Sequence, residues 1–342
     1  MITSKIIVIV VAALFVGGAA AAVVFWPENE GGWDEWDPVI GQVDYSLIST
    51  TPRIVEVVEN MYEFVYGDLP EKRTAPAGWR EFEPLVVPTN DGIKIKGPAG
   101  VSEFVEFTQN EIDNMKVISY GRGFTDTYVS MLGDEVWDTV VAAGGSTWTN
   151  YPNNGMAHTT SLGSEMTFGT EGFDRLNSFL NDDKSTPYCV IVWGYTSLDS
   201  INGLRSSLSG AGYTNVKILV IDYYAMNSWE YFLSVMDALG QLIGVSTANN
   251  DAMSDFRDRL YTIEDAVTTT GMKVYMETGT GTSPGANTLT QLCFDSLGLD
   301  NINKTTGTNA LDDELIITSE PDVIFYIKGD DKVEQRKARL GL

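Results

Sequence analysis

The chain has 342 residues, 43% of them hydrophobic, with a formal net charge of −25 and an isoelectric point near 4.2. That is enough apolar material for a sizeable core and for two domains or lobes. The acidity repels polyanions, which argues against non-specific attraction to nucleic acid or to an anionic membrane surface and leaves cationic or neutral ligands as the better fit. The single histidine, His158, lies in a Gly/Asn-rich loop, and there is no CxxC or HExxH pattern. Metal-site and histidine-dependent hydrolase templates therefore lack their parts, and neither a metal nor a cofactor is expected. Cys189 and Cys293 both sit in apolar runs and read as small buried hydrophobes.

In chain order, the first feature is the uncharged stretch Ile6 to Trp26. It is long enough to cross the hydrocarbon core of a bilayer. Lys5 precedes it, and Glu28, Glu30, Asp34, Glu35 and Asp37 follow. The positive-inside bias then places the bulk of the chain outside the cytoplasm. Residues 1–26 read as a single-pass anchor, with a cleaved signal sequence left open by the small residues Ala19 to Ala22. Residues 27–40 form an acidic linker. Residues 41–114 read as a small N-terminal extension, with a helical pattern from Pro52 to Val65 and extended pieces PLVVPTN and GIKIKG.

From Met115 the pattern becomes regular. Strand KVISY, Gly loop GRGFTD and helical TYVSMLG lead into helix EGFDRLNSFLND, strand YCVIVWG, loop YTSLDS, helix INGLRSSLSGAG and strand VKILVID. Strands separated by helices imply a parallel sheet with ligand loops at the strand carboxyl ends, so residues 115–226 form a first lobe. Residues 227–272 hold two helices, Ser228 to Gly244 and Ala248 to Gly271. The strand–loop–helix pattern restarts in a second lobe, residues 273–342, with KVYMETGTGTSPG, NTLTQLCFDSLGL and DDELIITSEPDVIFYIKGD. The expected fold is α/β: two lobes with central, mostly parallel sheets joined by a long rigid helix, preceded by a transmembrane segment.

That order resembles the substrate-binding proteins of ABC importers for iron-siderophores, cobalamin and haem. The resembling residues are KVISYGRGFTDTYVSMLG, GFDRLNSFL with YCVIVWG, MDALGQLIG, KVYMETG, LGLDNI and DELIITSEPDVIFYI, where Pro321-Asp322-Val323-Ile324 matches the family's Pro-Asp-hydrophobic strand start. Two departures stand out. NDDKSTPYCVIVWG lacks the usual Pro-Asp pair before its strand, so that turn is rebuilt. The chain also stops at GDDKVEQRKARLGL, where the family adds a further strand and closing helices, so either the second lobe is shortened or the reading frame is interrupted, and the basic tail of Lys332, Arg336, Lys337 and Arg339 in an acidic chain points to the latter.

The resemblance implies a ligand held between lobes by strand-end loops, with aromatic faces and a few polar anchors. First-lobe candidates are Tyr120, Arg122, Trp148, Tyr151, Trp193, Tyr195, Tyr223 and Tyr224. Second-lobe candidates are Glu277, Thr278, Ser283 and Asn309. Packing is the alternative role for each aromatic, and a salt bridge to an acid is the alternative for Arg122. By motif position, the acidic residues that dock such proteins on the permease map to Asp174 and Asp300. Asn303-Lys304-Thr305 is a glycosylation sequon.

The expected function is extracytoplasmic capture of a metal chelate, such as an iron-siderophore, a corrinoid or another tetrapyrrole, and its delivery to an ABC permease, without enzymatic activity. A surface receptor or sensor with the same fold is the alternative. A dinucleotide enzyme built on GTGTSPG is disfavoured, because Pro284 stands where the third glycine belongs and removes a backbone N–H.

Overall fold

A computed structural model of the chain describes residues 36, 38–43, 51–98, 104–145, 161–163, 170–194, 196–222, 225–279, 281–327 and 332–342. The apolar run Ile6 to Trp26 lies outside them. Among the described residues no helix is long and apolar enough to cross a membrane.

The chain opens with β1 (Val39–Val43), α1 (Ile54–Tyr66), β2 (Val86–Thr89), β3 (Gly92–Lys96), β4 (Phe104–Thr108) and α2 (Gln109–Asp113). Next come β5 (Lys116–Ser119), α3 (Arg122–Leu132), α4 (Val136–Thr139), β6 (Val140–Ala143), α5 (Thr170–Leu180), β7 (Tyr188–Trp193), α6 (Leu198–Gly210) and β8 (Val216–Ile221). Two helices follow, α7 (Trp229–Leu242) and α8 (Ser246–Ala266). The remainder is β9 (Met272–Glu277), β10 (Thr282–Pro284), α9 (Leu289–Ser296), β11 (Leu299–Asn301), β12 (Thr308–Ala310), α10 (Asp313–Ser319), β13 (Val323–Ile327) and α11 (Val333–Leu340).

These elements form two compact units. A central unit spans Pro76–Arg257, and a terminal unit combines β1 with Arg53–Ala75 and Asp258–Leu342. The central unit is built on a four-stranded parallel sheet, order β6-β5-β7-β8, beside a three-stranded antiparallel sheet β2-β3-β4. Its inner strand β7 is buried on both faces, with Cys189 to Val192 fully inaccessible. That burial explains why it reads as an unbroken apolar run rather than an alternating one. The terminal unit holds the parallel sheet β1-β13-β9-β11 and a small antiparallel ladder, β10-β12.

Residues 41–114, read from sequence as one extension, are divided between the units. β1 pairs in parallel with β13, Val39 opposite Val323. α1 buries the stripe Ile54, Val55, Val57, Val58, Met61, Tyr62 and Phe64, and Phe64 packs on Phe325 with ring centroids 5.4 Å apart. β2 to β4 belong to the central unit.

Two local differences from the sequence reading, and the rebuilt turn it expects before β7, have physical causes. The GRGFTD segment is helical rather than a loop: Gly121 stays extended as the N-cap, and its carbonyl accepts from the Phe124 N–H at 3.1 Å. The long helix ends at Ala266, not Gly271, because Val267-Thr268-Thr269-Thr270 is a β-branched run with restricted side-chain rotation in a helix. At 21 residues it is roughly 32 Å long. The turn before β7 is organised by Asp183, whose carboxylate accepts from the N–H groups of Ser185 and Thr186 at 2.9 and 3.1 Å and from the Tyr188 hydroxyl at 3.2 Å. Both cysteines are free and buried, as their apolar contexts suggest. Burial pushes the Cys293 thiol up to about 12 and raises Cys189 as well.

Candidate functional site

In each parallel sheet the loops that could hold a ligand follow the strand carboxyl ends. In the central unit, β5 delivers Tyr120, Gly121 and Arg122. Tyr120 is not presented to solvent: it is 1% exposed, packs in the core with Ile118, Leu162 and Val190, and donates its N–H to the Ile191 carbonyl. Gly144 gives the ring its room, since a Cβ there would lie 2.4 Å from Tyr120 Cε1. Trp193, at the end of β7, is also buried, and its ring lies 4.1 Å from that of Phe124 at a 32° tilt. The backbone at Gly121 approaches it so closely that a Cβ would meet Trp193 Nε1 at 2.6 Å. Both aromatics take the packing role.

Arg122 keeps partial solvent access at the first turn of α3. Its Nε donates to Asp126 Oδ2 at 3.2 Å, and Asp126 is almost wholly buried. The spacing is the i,i+4 arrangement that places two side chains on one helix face. The salt-bridge role weighed for this residue is therefore present. Trp148, Tyr151, Tyr195, Tyr223 and Tyr224 lie outside the described residues.

The central unit also contains a cavity of about 310 Å³ at the carboxyl end of β8, lined by Glu83, Lys96, Asp222, Glu230, Tyr231 and Ser234. Arg80 pairs with Glu230 at 2.8 Å, and burial together with the Asp222 charge pushes the Tyr231 phenol up to about 12. Sequence reasoning found no motif here, because the walls come from four separated stretches of chain.

In the terminal unit, Glu277 closes β9. It is fully buried, so it is not a ligand-facing carboxylate as expected; its oxygens are taken by Arg339, Tyr275 and the Gly281 N–H. Ser283 is buried as well, opposite Asn309 in the β10–β12 ladder. Thr278 is half-buried, and its N–H donates to the Thr282 carbonyl at 2.9 Å. Asn309 is half-buried, and its amide donates to Thr305 Oγ1 at 2.9 Å and the Thr306 carbonyl at 2.7 Å. Thr278 and Asn309 thus remain accessible. Arg336 and Arg339 stand out in the sequence only as part of a basic tail, and their place beside Glu277 has no local signal.

The remaining predicted positions are surface ones. Asp174 is exposed on α5, and Asp300 is exposed on β11, paired with Lys304. The sequon residue Asn303 is 1% exposed, and its amide is committed to the Ser283 carbonyl and to Thr305. Among the described residues no group of three or more His, Cys, Asp or Glu could hold a metal ion.

No protein-family model matches the chain. Its fold is shared with solved periplasmic binding proteins. A periplasmic heme-binding protein from Pseudomonas aeruginosa aligns with a TM-score of 0.50 and 17% identity, over 66% of this chain and 76% of its own. A TroA-like periplasmic binding protein, FepB, from Veillonella parvula aligns with a TM-score of 0.51 and 14% identity, over 68% and 69% of the two chains. A curated relative, the cobalamin-binding protein of Halobacterium salinarum, is 28% identical over 130 residues, or 36% of this chain. The chain spans about a third of that relative's length (35%). The α/β architecture with parallel sheets is thus that of TroA-like binding proteins, the class to which the sequence resemblance pointed.

Proposed function

We propose that this protein is the extracytoplasmic substrate-binding component of an ABC importer, taking up a metal chelate such as cobalamin, heme or an iron-siderophore. The observation that carries this reading is the combination of a periplasmic binding-protein fold with local identity to a cobalamin-binding protein. Ligand contacts come from strand-end loops, with Arg122, Thr278 and Asn309 as the accessible polar candidates and Trp148, Tyr151, Tyr195, Tyr223 and Tyr224 as the aromatic ones. Asp174 and Asp300 are the permease-docking carboxylates, a role their exposure permits. The apolar run Ile6 to Trp26, with Lys5 before it and acids after it, supports an N-terminal anchor that holds the chain on the outer face of the membrane. No catalytic step is part of the reading.

A ligand that binds only the folded state raises the melting temperature by mass action. Thermal shifts with cyanocobalamin, hemin and a set of ferric siderophores test the proposal directly. A concentration-dependent rise with one of them supports it, and no shift with any at saturation overturns it.

A further inference from the structure

Glu277 is fully buried at the carboxyl end of β9, where an unpartnered carboxylate would be very costly. Four groups surround it. Oε2 accepts from Arg339 Nη2 at 2.8 Å and from the Tyr275 hydroxyl at 3.1 Å. Oε1 accepts from the Gly281 N–H at 3.0 Å and lies 3.4 Å from Arg336 Nε. Arg339 also pairs with Asp313 at the start of α10. One carboxylate therefore joins the strand end, the glycine turn and the two helices α10 and α11.

The turn depends on this arrangement. Gly281 has φ +68°, the left-handed region that glycine enters without a Cβ penalty. In that conformation its N–H points back to Glu277, while its carbonyl accepts from the Leu311 N–H at 2.6 Å. The same turn carries Thr278, whose N–H donates to the Thr282 carbonyl. Tyr275 titrates far above its ordinary range, because burial and then the neighbouring Glu277 charge disfavour its anion, so it stays a donor to the carboxylate.

We propose that Glu277 is a positioning residue, an internal anion clamped by Arg336 and Arg339 of α11, which sets the turn presenting Thr278 and so couples α11 to the affinity of the β9 strand-end loop. The effect on affinity rests on the ligand-binding reading above; the effect on the turn does not.

Hydrogen–deuterium exchange on the full chain separates the two. Glu277→Gln and Arg339→Lys should each speed exchange across residues 278–284 by about tenfold, the scale of one charge-assisted hydrogen bond, while peptides of β7 stay unchanged. Combining Glu277→Gln with Arg339→Met should cost less than the sum of those two single changes, because the interaction lost in each single variant is the same Arg339–Glu277 pair and is lost only once in the double variant. In Glu277→Ala, added acetate, but not chloride at the same ionic strength, should restore protection by filling the vacated anion position. Unchanged exchange at 278–284, strict additivity, or equal rescue by chloride would overturn the proposal, even if all variants melt earlier. Cyanocobalamin titration of the same variants is the affinity readout: weakening by about tenfold supports the coupling, and unchanged affinity in a chain that binds the ligand overturns it. If the wild-type chain does not bind cyanocobalamin, it is the choice of this ligand that fails, and exchange still decides the role of Glu277.

Discussion

Arg259 and Glu59 form a two-pronged ion pair within the terminal unit, with Nε donating to Oε1 at 2.8 Å and Nη2 bonded to Oε2. Both side chains are largely buried, at 25% and 19% exposure, so the pair is screened far less than a surface bridge. It ties α1, in the part of the chain read from sequence as an extension, to the carboxyl half of α8. Helix α1 is thus part of the fold of this unit, as the bond from the Tyr66 hydroxyl to the Leu297 carbonyl at 2.6 Å also shows.

Glu59→Ala should therefore lower stability by about 1.5–3 kcal/mol, the range for a hydrogen bond to a charged group. Arg259→Lys should recover only part of the interaction, because an ammonium cannot reproduce the planar fork. Urea midpoints of the purified variants check both. Wild-type midpoints for the two would show that α1 docks by its apolar stripe alone.

Gly121→Ala is the second expected outcome. The new methyl group would sit 2.6 Å from Trp193 Nε1 and 2.7 Å from Phe124, closer than real Cβ atoms approach, so the two packed rings must move. Overpacking of this kind costs about 1–3 kcal/mol. Thermal melting together with tryptophan emission gives the readout, and an unshifted melt with unchanged emission would refute the packing role assigned to Trp193.

How much of this was visible beforehand depends on the distance between partners. Strands buried on both faces, such as CVIVW and VIFYI, declare themselves as apolar runs. A salt bridge for Arg122 is legible as a possibility, but its partner Asp126 is not, because GRGFTD reads as a loop and only its helical conformation puts the two on one face. β1 is different. Its partner β13 lies at the other end of the chain, and Trp36 donates its indole N–H to the carbonyl of Pro321, 285 positions away. No local pattern encodes such a pairing. The same holds for Glu277, whose buried state depends on an arginine 62 positions later. Read alone, a carboxylate in a glycine loop looks like a ligand contact; with its arginines in place it is a structural anion.

Asp183 supplies a pH prediction. Hydrogen bonds from Thr186 and Ser185 to its carboxylate hold its titration well below the usual carboxylate range. A lowered folded-state value means that the stabilisation is fully present above the unfolded value of about 3.9 and is lost as pH falls toward the depressed one. The stability gap between wild type and Asp183→Asn should accordingly be widest near neutral pH and shrink in acid below about pH 4. Urea unfolding of both proteins across that range measures it, and a gap that stays constant or grows in acid would contradict the assignment.

The last prediction separates capture from delivery. Asp174 and Asp300 are exposed on different units, and neither lies in a buried core; the Asp300 carboxylate pairs with Lys304 at the surface. Surface ion pairs contribute at most about 1 kcal/mol, so replacing these acids should leave folding nearly untouched. If the two residues dock on the permease as proposed, reversing their charge opposes that docking and costs association and specificity rather than ligand affinity. Asp174→Lys and Asp300→Lys should thus keep the wild-type thermal shift with the bound chelate and lose uptake when expressed with the cognate permease and ATPase, the double change more than either single one. Uptake at wild-type levels in the double variant would remove both residues from the docking surface, whereas loss of the thermal shift would place them at the ligand.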